Sequence, residues 1–390
     1  DLEKIKVAVR TMPSLNELLS DNKKVTDIQE LSINDILPGA RISNAKVKNA
    51  ESKTFFISGA GGSIGAEITR QLLSSNPGAI ILFELSEYNL FNIERECLAI
   101  KDSKNLDTEI IPILGDIRDR SNLEHVFQKF SIDQIYHAAA YKHVPIVENE
   151  NNISKAAENN ILGTYNLANS AVKHGVHSFV MISTDKAVRP TNIMGATKRF
   201  AEIIIQSINS ESSNTKFSMV RFGNVINSSG SVIPLFIDQI SRGGPITVTH
   251  KDVMRYFMTI PEASNLVLQA GEMSSGGEVF ILDMGEQVKI FDLARKLIHL
   301  SGRNHADGDE VDGIEIVEVG LRPGEKMYEE LLISGSELKT ENPKIYKATE
   351  SFIEPKILKP LLAELKESIV SFDNKKILTL LSQHVEGFNR

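Results

Sequence analysis

From residue 54 onward, short apolar runs alternate with longer stretches in which apolar residues recur every three or four positions. The runs are typical of buried strands and the stretches of amphipathic helices, so their alternation predicts βαβ units around a parallel sheet. The predicted strands cover residues 54–58, 79–83, 109–114, 134–137, 178–183 and 216–222. The predicted helices cover residues 64–75, 87–100, 121–129, 153–174 and 194–210. This order predicts a doubly wound, Rossmann-type α/β fold.

The pattern changes on both sides of this region. Residues 1–50 mix short apolar clusters with charged stretches, which predicts an N-terminal arm with short helical pieces. After residue 225 the alternation loosens and Gly and Pro punctuate the chain, which predicts a smaller C-terminal substrate-binding lobe. We therefore predict an arm at 1–50, a dinucleotide-binding domain at 51–225 and the lobe at 226–390, with some exchange of segments between the last two.

Composition narrows the possible functions. The chain has 390 residues, of which 41% are hydrophobic and 24% charged, close to the norm for a folded protein. The net charge of -8 argues against a nucleic-acid partner, because such proteins need clustered Lys and Arg. Cys97 is the single cysteine, which excludes an intramolecular disulfide and a multi-cysteine zinc site. The acidic stretch 307–312 lacks EF-hand spacing, so we interpret it as a solvated loop and predict no metal.

The sequence predicts no membrane contact by this segment itself, because no apolar run reaches the ~18 to 20 residues that cross a bilayer. The chain begins with Asp1 rather than Met. A processed protein and a piece of a longer chain that carries an anchor therefore both stay open as interpretations.

A glycine-rich turn joins the first predicted strand to the first predicted helix. Gly59, Gly62 and Gly65 have the spacing of a dinucleotide-binding turn, in which glycine allows a tight bend and close approach of the backbone to a pyrophosphate. The helix start at Ser63 and Ile64 would offer free N–H groups to the phosphates. A flexible turn is the alternative, but strand, helix and a following acidic residue occur in the expected order.

Residues at the ends of the next strands extend this predicted NAD site. Glu84 can accept hydrogen bonds from the adenosine ribose and would repel a 2′-phosphate, which favours NAD over NADP. Asp116, next to Ile117, is placed to meet the adenine amino group; a turn or N-cap role is the alternative. Ala138 and Ala139 leave room for the dinucleotide, although a tightly packed strand end would look the same.

Polar residues cluster where the fifth predicted strand ends. Thr184, Asp185 and Lys186 follow that strand, and Lys198 lies in the next helix. Because ligands bind at the carboxyl edge of a parallel sheet, this density of polar groups predicts an active site. A polar loop with a helix N-cap is the alternative.

Five motifs together resemble the extended short-chain dehydrogenase/reductase family, and more narrowly its UDP-N-acetylglucosamine 4,6-dehydratases of bacterial polysaccharide and glycan biosynthesis. They are the glycine turn and residues 137–145, 183–187, 221–225 and 322–326. The match spans about residues 50 to 335 in the family's motif order. It implies an NAD-dependent carbon-oxygen lyase that oxidises the sugar at C4, removes the C5 proton, expels the C6 hydroxyl as water and returns the hydride to C6.

The resemblance also implies a role for each polar residue near the fifth strand. Thr184 would contact the C4 oxygen, Asp185 would protonate the leaving C6 hydroxyl, and Lys186 would take the C5 proton. Because a lysine base must be neutral, we expect burial beside NAD+ and Lys198 to lower the pKa of Lys186. Lys198 would hold the nicotinamide ribose hydroxyls; an exposed helical lysine is the alternative.

One position departs from the wider family. That family places tyrosine four residues before the helical lysine, whereas Met194 precedes Lys198 here. A thioether cannot accept the C4 hydroxyl proton. The larger, membrane-anchored dehydratases resemble this chain in carrying methionine there, in the substrate site. The C4 proton acceptor is left open among Thr184, Asp185 and water.

The resemblance implies a UDP-sugar as partner. Asn224, Arg255 and Arg322 match positions that contact the nucleotide diphosphate, and the arginine fork suits phosphate because it donates two parallel hydrogen bonds. A surface ion pair is the alternative for either arginine. Glu325 would accept hydrogen bonds from the uridine ribose.

Two further residues resemble family positions near the cofactor and the active-site loop. They are Lys142, which would also meet substrate, and Asn160. Packing or capping is the alternative role for both.

Other functions stay open at this stage. A nucleotide-sugar 4-epimerase would need only a base for C4, and a non-catalytic NAD-binding sensor or scaffold would not retain Asp185, Lys186 and Lys198. By resemblance, the arm matches a connector that follows a membrane-anchored region. This implies the cytoplasmic domain of a bacterial inner-membrane protein that forms a homo-oligomer.

Overall fold

The computed structural model describes residues 10–11, 29–30, 47 and 49–390, apart from 213, 227, 229, 307–312 and 331–336. Most of the predicted arm, including its helical pieces, lies outside the described residues. Residues 10–11 pair with 29–30 as a short antiparallel ladder. The loop predicted at 307–312 also lies outside the described residues.

A nine-stranded sheet forms the centre of the described part of the chain. Its strands are β1 (Thr54–Ser58), β2 (Ala79–Glu84), β3 (Glu109–Leu114), β4 (Gln134–His137), β5 (Ser178–Ile182), β6 (Lys216–Arg221), β7 (Val279–Leu282), β8 (Leu338–Lys339) and β9 (Ile345–Ala348). They lie in the order β3-β2-β1-β4-β5-β6-β7-β9-β8. The first seven are parallel, and β9 pairs antiparallel with both β7 and β8.

This topology confirms the predicted doubly wound fold. The six predicted strands are β1 to β6, with ends that differ by at most one residue. The parallel strand β7 was not predicted, because its four apolar residues follow the region where the alternation loosens.

The longer helices are α1 (Ser63–Leu73), α2 (Glu87–Lys104), α3 (Arg120–Lys129), α4 (Thr164–Lys173), α5 (Ile193–Glu211), α6 (Val232–Ser241), α7 (Ile260–Met273), α8 (Ile290–Leu300), α9 (Pro355–Val370) and α10 (Asn374–His384). Shorter helical turns are Ala50–Ser52, Val144–Val147, Glu150–Asn152 and Asp185–Ala187. Along the described part of the chain, no helix combines the length and apolarity needed to cross a membrane.

The helices cover both faces of the sheet. Side chains of a strand alternate between faces, and β1 shows the result: Phe55 and Ile57 join the cluster of α1, α2 and α7, whereas Phe56 joins that of α3, α4 and α5. All three side chains are fully buried. A third cluster packs α9 and α10 against α5.

The predicted helix at 153–174 is interrupted. It consists of the α-helical Ile153–Ala157, the π-helical Glu158–Gly163 and then α4. Single π-helical turns within helices often occur at functional sites. Here the wider turn carries Asn160, whose side chain holds the loop after β4.

Residues after 225 contribute to two places. One is a separate hydrophobic cluster that includes α6, α8 and Ile314. Short strands pair around it: Ile246–Val248 with Ile316–Glu318, Met254–Arg255 with Val288–Lys289, Asn224–Val225 with Phe257–Met258, and Asn304–His305 with Gly313–Ile314. The other place is the main sheet, which receives β7 to β9. The division at residue 225 stays a prediction.

Candidate active site

The glycine turn after β1 is packed too closely for side chains. A Cβ on Gly65 would lie 2.1 Å from the Gly59 carbonyl oxygen, and one on Gly59 would lie 2.8 Å from the Ala139 backbone nitrogen. Gly59 also has a φ of 67°, a left-handed conformation that favours glycine. Gly62 is the N-cap of α1, so the N–H groups of Ser63 and the residues after it lie at the helix start.

A cavity of about 180 Å³ lies against this turn at the carboxyl ends of β1 to β4. Its lining includes the predicted cofactor residues Gly59, Gly62, Glu84, Asp116, Ile117, Ala138 and Ala139. Closely packed glycine backbone, a helix N-terminus and an acidic residue after the second strand are the features that fit a dinucleotide. The residues present therefore fit NAD.

Two carboxylates at this cavity are held by local contacts. Glu84 accepts hydrogen bonds from the backbone N–H groups of Gly61 and Ser86, both at 3.0 Å. Asp116 accepts from Arg118 Nε at 2.9 and 2.8 Å to its two oxygens. Burial raises the pKa of Asp116, but the hydrogen bonds from Arg118 outweigh burial and hold the pKa below its ordinary value. Sequence reasoning missed Arg118, although it lies two residues after Asp116.

Asn160 acts on the cavity through the loop after β4. Its amide accepts from the Tyr141 N–H at 2.8 Å and donates to the Tyr141 carbonyl at 3.0 Å and to Thr197 at 3.0 Å. Tyr141 lines the cavity, and its neighbour Lys142 is exposed. Asn160 thus fixes the backbone of this loop, which agrees with the capping role given above as the alternative. Direct contact of Asn160 or Lys142 with the cofactor stays a prediction.

A buried histidine supports the floor of the cavity. His137 contacts Ser58 Oγ at 2.7 Å and Thr164 Oγ1 at 2.9 Å. Thr164 donates to the Asn160 carbonyl at 2.7 Å. Burial and the nearby charge of Lys198 lower the pKa of His137 to about 3. This histidine is therefore neutral at physiological pH and serves as a rigid link between β1, β4 and the π-helical turn.

The polar residues after β5 form a compact ion pair. Asp185 is 1% exposed, and its Oδ1 accepts from Thr184 Oγ1 at 2.8 Å and from Lys186 Nζ at 3.0 Å. Lys186 Nζ also donates to Asn224 Oδ1 at 3.0 Å. The structure therefore brings together Thr184, Asp185, Lys186 and Asn224, which the sequence placed in two separate motifs.

A second carboxylate, missed by sequence reasoning, lies close to Lys186. Glu329 Oε1 is 3.6 Å from Lys186 Nζ and 3.6 Å from Arg255 Nε. Arg255 Nη2 also donates to Glu325 Oε1 at 2.8 Å. We call these five residues, Asp185, Lys186, Arg255, Glu325 and Glu329, the site cluster. A sequence signal existed: Glu329 lies four residues after Glu325 and three residues after the end of the motif at 322–326.

The site cluster corrects one expectation. Burial lowers the pKa of Lys186, but the charges of Asp185 and Glu329 outweigh it and leave the pKa above its ordinary value of 10.5. The predicted lowering was therefore wrong, because sequence reasoning weighed burial and nearby positive charge and left out the opposing charges of Asp185 and Glu329. The lysine whose pKa falls is Lys198: burial lowers it to about 8, although Glu202 partly opposes this. Lys198 Nζ donates to the Ile182 carbonyl at 2.8 Å.

Two buried carboxylate oxygens remain free for other partners. Within the described residues, Asp185 Oδ2 and Glu329 Oε2 have no hydrogen-bond partner. Burial of an unpaired carboxylate oxygen costs free energy, so such atoms are uncommon outside functional sites. The site cluster therefore has acceptor capacity that the protein itself does not use.

Two glycines allow the segments that form the site to pack closely against one another. A Cβ on Gly195, near the start of α5, would lie 2.2 Å from the Lys186 carbonyl oxygen. Gly324 packs against the N-cap of α5, where an added Cβ would lie 2.7 Å from the Asn192 Cβ, and its carbonyl accepts from Thr191 at 2.7 Å and Asn192 at 3.2 Å. These contacts dock the segment that carries Glu325 and Glu329 onto the start of α5.

The remaining predicted substrate residues take different positions. Arg255 is 7% exposed and lies in the buried ion pair described above, not at the surface. Arg322 is exposed, and its backbone N–H donates to Glu325 Oε2 at 3.2 Å. Glu325 also accepts from Thr249 at 3.0 Å. Met194 is 3% exposed and belongs to the hydrophobic cluster of α5, α9 and α10. Substrate contact by each of these residues stays a prediction.

A second group of buried charges lies beside the site and was also missed. Glu202 accepts from Ser183 at 2.6 Å and from Arg221 at 2.8 Å, and it pairs with Arg199 at 3.1 Å. Arg221, which is 0% exposed, also pairs with Glu350. We call Ser183, Arg199, Glu202, Arg221 and Glu350 the frame cluster. It ties α5, β6 and the segment after β9 together.

Comparison with known proteins identifies relatives of this chain. Residues 55–350 match the model of a family described as "Polysaccharide biosynthesis protein". The capsular polysaccharide biosynthesis protein CapD of Staphylococcus aureus is 48% identical over 324 residues, which is 82% of this chain and 52% of CapD. The chain thus spans about half the length of that relative.

Two more distant relatives carry the names of enzymes. A UDP-N-acetylglucosamine 4,6-dehydratase (inverting) of Campylobacter jejuni is 31% identical over 72% of this chain and 78% of its own length. A UDP-glucose 4-epimerase of Rickettsia canadensis is 32% identical over 74% and 80%. Among solved structures, Pen from Bacillus thuringiensis matches with a TM-score of 0.67 and 33% identity, over 82% of this chain and 99% of Pen.

Proposed function

Because this chain belongs to the polysaccharide biosynthesis protein family, and has nucleotide-sugar dehydratases and epimerases among its relatives, we propose that it is an NAD-dependent 4,6-dehydratase of UDP-N-acetylglucosamine. The product is the UDP-linked 2-acetamido-2,6-dideoxy-4-keto-hexose. The observation that carries this proposal is the Asp185–Lys186 pair, with its 3.0 Å hydrogen bond. A dehydratase needs both an acid and a base at C5 and C6, whereas an epimerase needs only a base for C4.

The cofactor we propose is NAD, in the cavity beside the glycine turn. The N–H groups at the start of α1 would bind its pyrophosphate, and Glu84 would accept from the adenosine ribose. Bound NAD+ would supply hydride acceptance at C4 and hydride return at C6. Lys198, which donates to the last carbonyl of β5, would hold the nicotinamide ribose.

The ion pair supplies both proton-transfer groups through one shared proton. Movement of that proton from Lys186 Nζ to Asp185 Oδ1 makes Lys186 a neutral amine and Asp185 a carboxylic acid. Lys186 then takes the C5 proton, Asp185 gives its proton to the C6 hydroxyl, and water leaves. After this elimination the pair is again ammonium and carboxylate. As the hydride returns to C6, Lys186 would give a proton to C5, and the proton released by the C4 hydroxyl would then restore the pair. Thr184 donates to Asp185 and would contact the C4 oxygen.

In this proposal, arginine and asparagine side chains of the site bind the substrate. Arg255 donates to the diphosphate in exchange for part of its contact with Glu329, and Asn224 and Arg322 add further donors. Asp185 Oδ2, which is buried and has no partner among the described residues, accepts from a sugar hydroxyl. The sugar is thereby held between Arg255 and the cofactor cavity.

The experiment is incubation with UDP-N-acetylglucosamine in D2O, with product mass and NADH absorbance recorded. We expect loss of one water, one deuterium at C5 and no accumulation of NADH. Lys186→Ala should abolish this, whereas Lys173→Ala, at an exposed surface ion pair, should not. An unchanged mass with an inverted C4 would instead establish an epimerase. Binding of NAD without turnover of a UDP-sugar would leave only a sensor or scaffold.

Self-association and attachment to the cytoplasmic face of an inner membrane through a longer chain are further proposals. They rest on the family resemblance alone. Light scattering of the purified protein tests the first, and fractionation of cells that express the complete gene tests the second.

A further inference from the structure

Glu329 has a position that no role in the proposed reaction accounts for. Its carboxylate is 6% exposed, and one oxygen lies 3.6 Å from both Lys186 Nζ and Arg255 Nε. Its other oxygen has no partner within the described residues. A buried charge of this kind is costly unless it is compensated, and the cations that compensate it are Lys186 and Arg255.

Lys186 is the group that depends on Glu329. The proposed reaction needs one proton on the Asp185–Lys186 pair, since a pair that has lost it contains no acid. Burial of Lys186 and the charge of Arg255 favour loss of this proton, whereas the charges of Asp185 and Glu329 favour its retention. The other charged group facing Glu329 is Lys326, whose ammonium pairs with Glu330 at 3.3 Å.

We propose that Glu329 is a positioning residue that keeps the shared proton on the Asp185–Lys186 pair by holding the Lys186 ammonium between two carboxylates. The inference rests on the proposed function and adds a residue to it. Because the same Glu329 oxygen also faces Arg255, the residue joins the proton-transfer pair to the arginine that would bind the diphosphate.

The first test is the pH profile of kcat for Glu329→Gln, which keeps the shape of the side chain and removes its charge. An opposite charge within about 4 to 6 Å shifts a pKa by about one to three units. We therefore expect the alkaline limb of the profile to move down by about one to three pH units and activity to recover when the pH is lowered. Glu329→Asp should keep the limb within about one unit of the wild type.

The matched control is Glu330→Gln, the same chemical change at the next residue. Glu330 is 42% exposed and pairs with Lys326 and Arg189. We expect its alkaline limb to coincide with that of the wild type. A purely structural role for Glu329 would lower kcat at every pH without moving the limb.

A second measurement reads Lys186 without turnover. Competitive labelling with acetic anhydride across the pH range, followed by mass spectrometry, gives the midpoint at which Lys186 becomes a nucleophile. We expect this midpoint to be about one to three units lower in Glu329→Gln than in the wild type and in Glu330→Gln.

The two measurements separate the possible failures. If the wild type converts the substrate but neither the limb nor the midpoint moves in Glu329→Gln, the inference is overturned. If the midpoint moves but the wild type does not convert UDP-N-acetylglucosamine, the proposed function fails and the hold of Glu329 on Lys186 stands. A Glu329→Asp profile displaced as far as that of Glu329→Gln would also overturn the inference.

Discussion

The site cluster and the frame cluster begin two residues apart, at Asp185 and Ser183, yet they differ in how completely their buried carboxylates are hydrogen-bonded. In the frame cluster both oxygens of Glu202 are occupied, one by Ser183 and Arg221 and the other by Arg199 and Arg221. In the site cluster, Asp185 and Glu329 each keep one unpartnered oxygen within the described residues.

The difference indicates what each cluster is for. A buried ion pair with complete hydrogen bonds fixes the arrangement of its segments, because loss of either partner leaves an uncompensated charge. A cluster with free acceptor atoms gives up some stability and keeps capacity for another molecule. We therefore expect changes in the frame cluster to affect unfolding, and changes in the site cluster to affect turnover.

The largest expected effect is on turnover in Asp185→Asn. An amide cannot supply the proton to the C6 hydroxyl, so kcat should fall by about 10² to 10⁴. The melting temperature should fall less than in the frame-cluster variants, because Lys186 keeps Glu329 as a counter-ion and the change removes a buried carboxylate oxygen that has no partner among the described residues. Steady-state turnover and thermal unfolding check this. Asp238→Asn, at an exposed ion pair, is the control; a variant that unfolds but turns over normally would reverse the comparison.

The next effect is on stability in Glu202→Ala. Arg221 is fully buried and would lose one of its two carboxylate partners, so the free energy of unfolding should fall by about 3 to 5 kcal/mol. Urea unfolding measures it. Glu211→Ala, at an exposed position of the same helix, should change the free energy of unfolding by about 0.5 kcal/mol at most. Equal values for the two variants would refute the structural role of the frame cluster.

A smaller effect on stability is expected in Ser183→Ala. Ser183 donates one hydrogen bond to the charged Glu202, and loss of such a bond costs about 1.5 to 3 kcal/mol. The Asp185–Lys186 pair is left in place, so kcat should be unchanged. Denaturant unfolding and turnover, compared with Ser103→Ala at an exposed serine, distinguish the outcomes; a large loss of kcat would show that the two clusters are not separate.

The remaining prediction concerns the response of stability to acid, which should have opposite signs in the two clusters. Burial raises the pKa of Glu202, but the charges of Arg221 and Arg199 outweigh it and lower the pKa from 4.5 to about 2. Its stabilising contribution is thus present above pH 4.5 and lost as pH falls toward 2. Burial raises the pKa of Glu329, with Lys186 and Arg255 opposing, so its ionisation costs stability as pH rises above 4.5.

Two glutamine variants measure this difference. The stability advantage of the wild type over Glu202→Gln should shrink as pH falls from 4.5 to 2. Glu329→Gln should gain on the wild type as pH rises from 4.5 through the raised pKa, by about 1.4 kcal/mol for each unit of that shift. Unfolding free energies across the pH range check both slopes, and slopes of the same sign would contradict the comparison.

The sequence was most informative where neighbours along the chain determine the structure. Strands β1 to β6 were predictable because each is a continuous apolar run followed by a helix. The glycine turn was predictable for the same reason, since Gly59 and Gly65 bend one local stretch of backbone. The pairing of β9 with β7 was not, because it depends on which distant segment reaches the sheet edge.

The electrostatics of the site depended on distant contacts. The pKa of Lys186 is raised by Asp185, its neighbour in sequence, and by Glu329, which a different segment brings to 3.6 Å. Part of the frame cluster was predictable from a local pattern in the sequence. In a mostly apolar helix, Lys198, Glu202 and Gln206 recur at intervals of four. Polar residues at that spacing on a buried face indicate buried partners.

The antiparallel strand β9 and the residues after it are synthesised well after the residues that they contact. Arg221 and Glu350 are 129 residues apart, and a ribosome adding about 5 to 20 residues per second needs about 6 to 26 s to make that stretch. During that interval the nascent chain carries an arginine whose second counter-ion does not yet exist. The edge of β6 also stays unpaired until β7 has been synthesised. A polypeptide released early, near residue 225, would therefore present chaperones and proteases with an open sheet edge.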